Sequence, residues 1–290
     1  MHFGGLLLLL AATITPPSQP ATGPGGADYK HEVVIHQTGN SGISYWIYEP
    51  ANPAPTNAPV IIFLHGWSAI YPRSYAYWLK HLARRGNLVI YPRYQKSLLT
   101  RPRDFTSNSV AAVQAALTEL QSGKHVRPDV NRVAVIGHSM GGAIAINLAA
   151  TPGLPTPKAV MCVAPGDGQD RSAFLYFLKT DWSQIPATTL LLTLVGDEDK
   201  NTGHRYAQLI DAGTPQIPAT NKNYIIVHSD RHGRPALIAN HDAPEATTVW
   251  PASVDALDYY AYWKLFDALI DAAFVGTNRE FALGNTLSQF

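Results

Sequence analysis

Residues 132–150 read Arg132-Val133-Ala134-Val135-Ile136-Gly137-His138-Ser139-Met140-Gly141-Gly142-Ala143-Ile144-Ala145-Ile146-Asn147-Leu148-Ala149-Ala150. The run Val133–Ile136 is continuously apolar, as a strand buried on both faces should be. The segment after Ser139 is built of small and apolar residues and reads as a helix that packs closely, with Gly142 and Ala143 clearing its first turn. Between them Gly137-His138-Ser139-Met140-Gly141 is G-x-S-x-G in a strand–turn–helix setting. So sharp a turn strains Ser139, and side chains two residues before and after it would clash; glycine stands at both places. The turn holds the hydroxyl of Ser139 out over a sheet edge. The new helix points its free N–H groups, and its positive end, at the charge that forms when that hydroxyl attacks a carbonyl.

Outward from this segment, strand and helix signals alternate. His31–Thr38 and Ile43–Glu49 alternate polar and apolar residues and open the domain as a strand pair. Val60–Leu64, Asn87–Tyr91, Ala159–Ala164, Thr189–Val195 and Tyr224–His228 are further strands. Helices are expected over Ser74–Arg84, Val110–Leu120, Met140–Ala150, Gly203–Asp211 and Val254–Phe274. With Arg132–Ile136 this makes an α/β domain: a mainly parallel, eight-stranded sheet with helices on both faces, spanning residues 28–290. Two segments are long for compact connections. Gly166–Pro186 is a candidate lid or cleft rim, and His232–Pro251 follows the last strand.

A serine hydroxyl needs a histidine base, and the histidine an orienting carboxylate. On an elbow of this kind the chain order is Ser, then Asp or Glu, then His. The strand Leu190–Val195 runs into Gly196-Asp197-Glu198-Asp199, so the acid is Asp199 or Asp197. The last strand runs into His228-Ser229-Asp230-Arg231-His232. His232 is the preferred base, His241 in Asn240-His241-Asp242-Ala243-Pro244 is its rival, and His228 is structural. The backbone N–H groups of Met140, next to the nucleophile, and Trp67, in the loop His65-Gly66-Trp67-Ser68, would bind an oxyanion. His65 is expected to brace that loop. Tyr71, Phe174, Tyr176 and Trp182 are candidates for an aromatic substrate cleft.

His65-Gly66-Trp67, Gly137–Gly142, Gly196–Asp199 and the histidine segment after Tyr224 together resemble the α/β-hydrolase superfamily. They are most similar to bacterial lipases, cutinases and polyester hydrolases, and to dienelactone-hydrolase-like carboxylesterases. The resemblance implies a serine esterase acting through an acyl-enzyme on apolar or aromatic esters, small or polymeric. It also favours Asp199, because G-x-x-D is usual at that turn. The same triad serves thioesterases, acyltransferases and peptidases, and a non-catalytic binding protein on this fold is the remote alternative. Activity through a histidine base should fall at acidic pH. The chain departs from bacterial cutinases in having one cysteine, which cannot make their C-terminal disulfide, and in its long His232–Pro251 loop.

Composition narrows the classes. The chain has 290 residues, a formal net charge of +1 and a 46% hydrophobic share, enough for a full core. No basic run exceeds Arg84-Arg85, so nucleic acid has no electrostatic footprint here. The single cysteine, Cys162, lies in an apolar run and reads as an inert buried thiol. There is no H-E-x-x-H, P-loop or dinucleotide fingerprint, so neither metal nor cofactor is expected. Asp197-x-Asp199-x-Asn201 resembles the start of a calcium loop, but Thr202 and Gln208 stand where Gly and Glu are needed. Leu6–Leu10 and the residues to Ile14 are too short to span a bilayer; they fit the core of a signal peptide, implying a secreted or periplasmic location, and the chain is expected to fold as a monomer. Pro16–Ala27 reads as a Pro/Gly-rich linker.

Overall fold

The structure is a computed structural model that describes residues 14–39, 44–168, 177, 179–247 and 253–284. Eight strands form one sheet in the order β1-β2-β4-β3-β5-β6-β7-β8. They are β1 (Glu32–Thr38), β2 (Ser44–Ala51), β3 (Asn57–Leu64), β4 (Leu88–Arg93), β5 (Arg127–His138), β6 (Ala159–Val163), β7 (Leu190–Gly196) and β8 (Lys222–Val227). β2 runs antiparallel to both β1 and β4, and the pairings from β4 through β8 are parallel.

The two-residue period of the central strands builds two cores. Val60, Ile62 and Leu64 of β3 face one side with Val133 and Val135 of β5. There they meet α2 (Phe105–Leu120), α3 (Met140–Ala149) and α4 (Arg205–Ala212). Ile61 and Phe63 face the other side with Ala134 and Ile136. That side is covered by α1 (Ala76–Arg84), α5 (Trp263–Phe274) and α6 (Arg279–Leu283). Burial on both faces is why these strands carry unbroken apolar runs.

The boundaries depart from expectation where polar residues are recruited. β5 starts at Arg127, six residues before its apolar run, because Asn57–Pro59 pair with Arg127–Asp129. α2 begins at Phe105 after a 3₁₀ turn led by Pro102. The terminal helix opens with a π turn at Asp258–Tyr262, and α5 proper starts at Trp263. Asp255 and Asp258 hold its start: the Leu257 N–H donates to Asp255 at 2.7 Å and the Asp255 N–H to Asp258 at 2.9 Å. α6 carried no sequence signal of its own.

Pro16–Ala27 lies against α1 and α5. The Gly25 N–H donates to buried Asp267 at 2.8 Å, and Asp267 also takes His81 at 2.9 Å. Residues 1–13, with most of the leader, lie outside the described residues. No helix among the described residues is long and apolar enough to cross a membrane. Cys162 is buried, and burial pushes its thiol pKa up.

Candidate active site

β5 ends at His138 and α3 starts at Met140, leaving Ser139 alone at the turn with φ 58° and ψ −124°. The Ser139 N–H is held by the Val163 carbonyl at 2.9 Å, which keeps the strained residue in place. A Cβ at Gly137 would sit 2.0 Å from the Gly141 oxygen, and one at Gly141 2.2 Å from the Leu64 oxygen. Both glycines are therefore required by backbone approach.

The imidazole that reaches this serine belongs to His241. Its Nε2 lies 2.9 Å from Ser139 Oγ, and its Nδ1 2.9 Å from Asp199 Oδ2. The Asp199 side chain is 0% exposed and that of His241 13%. Asp199 accepts further bonds from the N–H groups of Asn201 (2.8 Å) and Thr202 (3.0 Å), and from the Thr202 hydroxyl (2.8 Å). Burial alone would raise its pKa. The hydrogen bond and charge of His241, with the Thr202 donors, hold it well below the ordinary carboxylate range.

His232 lies elsewhere, which corrects the preference for it. The chain after β8 makes an excursion closed by the antiparallel pair Asp230 and Leu237, whose backbones exchange bonds of 2.8 and 2.7 Å. His232 rides at its tip with its side chain 90% exposed, and its Nδ1 bonds locally to Asp230 at 2.9 Å. The returning strand packs Ala239 against Gly196, where a Cβ would lie 2.0 Å from the Ala239 oxygen. That contact delivers His241 to the sheet edge. Asp197 is also away from the serine: it binds the Ser229 N–H and hydroxyl, anchoring the start of the excursion.

Of the aromatic cleft candidates, Trp182 is core, with its indole N–H donating to Asn147 Oδ1 at 2.8 Å. Tyr71 is exposed and is not among the residues lining the cavity over Ser139; it lies edge-on to Trp46 and under the Arg93 guanidinium. Phe174 and Tyr176, and most of 166–186, lie outside the described residues. A cavity of about 580 Å³ opens over Ser139. Its described walls include Trp67, Met140 and Tyr206, together with Asp167, Arg205 and Glu245. Trp67 and Met140 thus line the same cavity as Ser139. Arg205 pairs with Asp167 across the rim.

A family model described as Chlorophyllase matches residues 32–175, which contain β1 through β6 and the serine turn. With the sheet order and the elbow, the match decides the superfamily. The chain is an α/β-hydrolase. Among curated proteins it is similar to the Magnesium-chelatase 30 kDa subunit of Rhodobacter capsulatus, at 28% identity over 63% of this chain and 60% of that one. It is also similar to Chlorophyllase-1, chloroplastic, of Citrus unshiu and Citrus sinensis, at 32% identity over 50% of this chain and 44% of theirs. The match covers about half the length of these relatives.

Sequence reasoning missed how this α/β-hydrolase holds the histidine loop. The His138 Nε2 lies 2.8 Å from the His241 carbonyl oxygen. A carbonyl only accepts, so Nε2 carries the proton and Nδ1 accepts from the Tyr75 hydroxyl at 2.8 Å. The Tyr75 oxygen in turn accepts the Gly66 N–H at 3.0 Å. One buried chain therefore ties the loop of His241 to the loop of Trp67. Burial, then the nearby His241 charge, lowers the His138 pKa to about 3 and keeps it neutral. Only the His between Gly137 and Ser139 hinted at this; Tyr75 is distant in sequence.

His65 is held against the loop of Gly66 and Trp67. It stacks on Tyr94 with centroids 4.0 Å apart, and its Nδ1 bonds to the Gly66 carbonyl at 2.7 Å. Burial lowers its pKa from 6.5 to about 3. A folded-state pKa below the unfolded value contributes stability above the unfolded pKa, and that stability is lost as pH falls toward the folded one. His65→Phe keeps the stacking but removes the titration. Urea unfolding should show wild type losing roughly 2 kcal/mol relative to His65→Phe between pH 7 and pH 5. Parallel pH profiles for the two proteins would contradict the buried neutral imidazole.

Proposed function

We propose that this α/β-hydrolase cleaves carboxylic esters through an acyl-enzyme on Ser139, with His241 as base and Asp199 as the orienting acid. The observation that carries the proposal is the continuous contact from Asp199 through both nitrogens of His241 to Ser139 Oγ. As the hydroxyl attacks the ester carbonyl, its proton passes to His241 Nε2. Asp199 stabilises the imidazolium through Nδ1. The N–H groups of Met140 and Trp67 bind the oxyanion. Collapse expels the alcohol, which takes the proton from His241, and water then releases the acid by the same steps in reverse.

The described walls also suggest the kind of ester. Trp67, Met140 and Tyr206 offer apolar surface, while Asp167, Arg205, Asp242 and Glu245 surround it with polar groups. The preferred substrate then has a large apolar portion with polar substituents, rather than the plain aliphatic chain of a lipase substrate. The relatives named chlorophyllase make chlorophyll the first natural ester to try. The relative named as a chelatase subunit supplies a different class, a protein that acts within a complex. An assembled serine, histidine and aspartate favour hydrolysis over that class. Wild-type protein should turn over p-nitrophenyl butyrate and chlorophyll with burst kinetics, and leave p-nitroanilides untouched. Activity on anilides or thioesters with none on esters would overturn the proposal.

A further inference from the structure

At the β1 edge of the sheet, beside the start of β5 and away from its Ser139 end, one face of the β1–β2 pair carries His36, Thr38, Tyr45 and Glu49. The register sets Thr38 against Tyr45, His36 against Ile47 and Val34 against Glu49, so these side chains share a face. The connection from α2 to β5 brings His125 and Glu119 onto it. Glu49 Oε2 is 3.1 Å from His36 Nε2 and 2.8 Å from His125 Nδ1. These three ligand atoms all lie within 4.8 Å of one another. The second oxygen, Glu49 Oε1, takes the Val126 N–H at 2.6 Å, which fixes the carboxylate with Oε2 toward the two rings.

The surroundings match what a metal-binding histidine needs. Coordination through Nδ1 of His125 places its proton on Nε2, and Nε2 faces Glu119 Oε1 at 3.5 Å. A carboxylate behind the far nitrogen orients a metal-bound imidazole and raises its basicity. Glu119 is itself positioned by the hydroxyls of Tyr45 (2.7 Å) and Thr38 (2.9 Å). The His36 side chain is 35% exposed, which leaves an entry path and room for a water ligand.

We propose that His36, Glu49 and His125 form a zinc site, with Glu119 positioning His125 and water completing a tetrahedron. Two imidazoles and one carboxylate are a set zinc accepts, and with two nitrogen ligands they suit magnesium or calcium poorly. The site cannot serve the reaction. Val126 adjoins it and Ser139 lies past the other end of β5, which pairs along only the eight residues of β3 (Asn57 with Arg127, Leu64 with Gly137), so the two are separated by roughly 25 Å. Its effect is structural: it ties the edge hairpin to the α2–β5 connection.

The test is calorimetric titration of untagged, chelator-treated full-length protein with zinc chloride. One equivalent should bind to wild type and to His232→Ala, whose exposed histidine controls for loose surface binding. Affinity should fall at least tenfold in His36→Ala and in His125→Ala. His36→Gln, at a partly exposed edge-strand position, keeps the test valid should the His125 variant unfold. Zinc should also raise the wild-type melting temperature by several degrees and leave that of His36→Gln unchanged. Unaltered binding in the His36 variants, or none in wild type, would overturn the site and leave an imidazole–carboxylate network. Ester hydrolysis by chelator-treated protein should be unaffected, so this proposal and the serine mechanism fail independently.

Discussion

His241→Ala should lower kcat on a p-nitrophenyl ester by roughly 10⁴- to 10⁶-fold, while His232→Ala stays within about twofold of wild type. The contrast follows from where the two rings sit. His241 bridges Ser139 and Asp199 at 2.9 Å on both sides. His232 is nearly fully exposed at the tip of a surface excursion, and its ring bonds only to neighbouring Asp230 among the contacts described. Removing the His241 imidazole leaves Ser139 without a proton acceptor and Asp199 as a buried anion without its main partner. The oxyanion donors remain, so a residual rate above the uncatalysed one is expected. KM should change little, because neither histidine is needed to hold the alcohol portion. Comparing kcat for the two variants checks this, and equal losses would remove the distinction.

Gly141→Ala should prevent soluble folding, or cost more than about 4 kcal/mol in urea unfolding, although it adds one methyl group. The new Cβ would lie 2.2 Å from the Leu64 oxygen and 2.4 Å from the His65 oxygen. Both are backbone atoms at the end of β3, where the chain turns into the loop of Gly66 and Trp67. No rotamer change relieves the clash, so the helix or the loop must move. Gly142→Ala is the internal control. Its Cβ would meet Pro165 Cβ at 3.0 Å, Pro165 Cα at 3.1 Å and the Gly137 oxygen at 3.2 Å, tight contacts but without the overlap met at Gly141, and alanine favours the helix. That variant should fold and lose clearly less stability than Gly141→Ala. If the two variants unfold alike, the close approach of α3 to β3 is not what fixes these glycines.

The sequence made the sheet legible because its central strands are buried on both faces and so carry unbroken apolar runs. Ser139 was legible for a related reason: the elbow forbids side chains at 137 and 141, and that prohibition is written as glycine. The choice of histidine was not. His232 and His241 both follow the last strand, and distance along the chain says nothing about which returns to the sheet edge. One signal was present: His232-Gly233-Arg234-Pro235 carries the glycine and proline of a turn, which marks a tip pointing away. Gly196, where the returning chain crosses at Ala239, was the other half of that message. The Tyr75–His138 chain and the His36–Glu49–His125 cluster could not be read in advance. Each joins residues from separate elements, and only strand register and helix docking bring them together.

The most direct test of the central claim is the site and rate of labelling by a fluorophosphonate. Peptide mapping should place the adduct on Ser139 alone, with no adduct in Ser139→Ala. Labelling should be slowed by orders of magnitude in His241→Ala and unchanged in His232→Ala. An adduct elsewhere, or a His241→Ala protein labelled at the wild-type rate, would contradict the assignment of Ser139 as a nucleophile activated by His241.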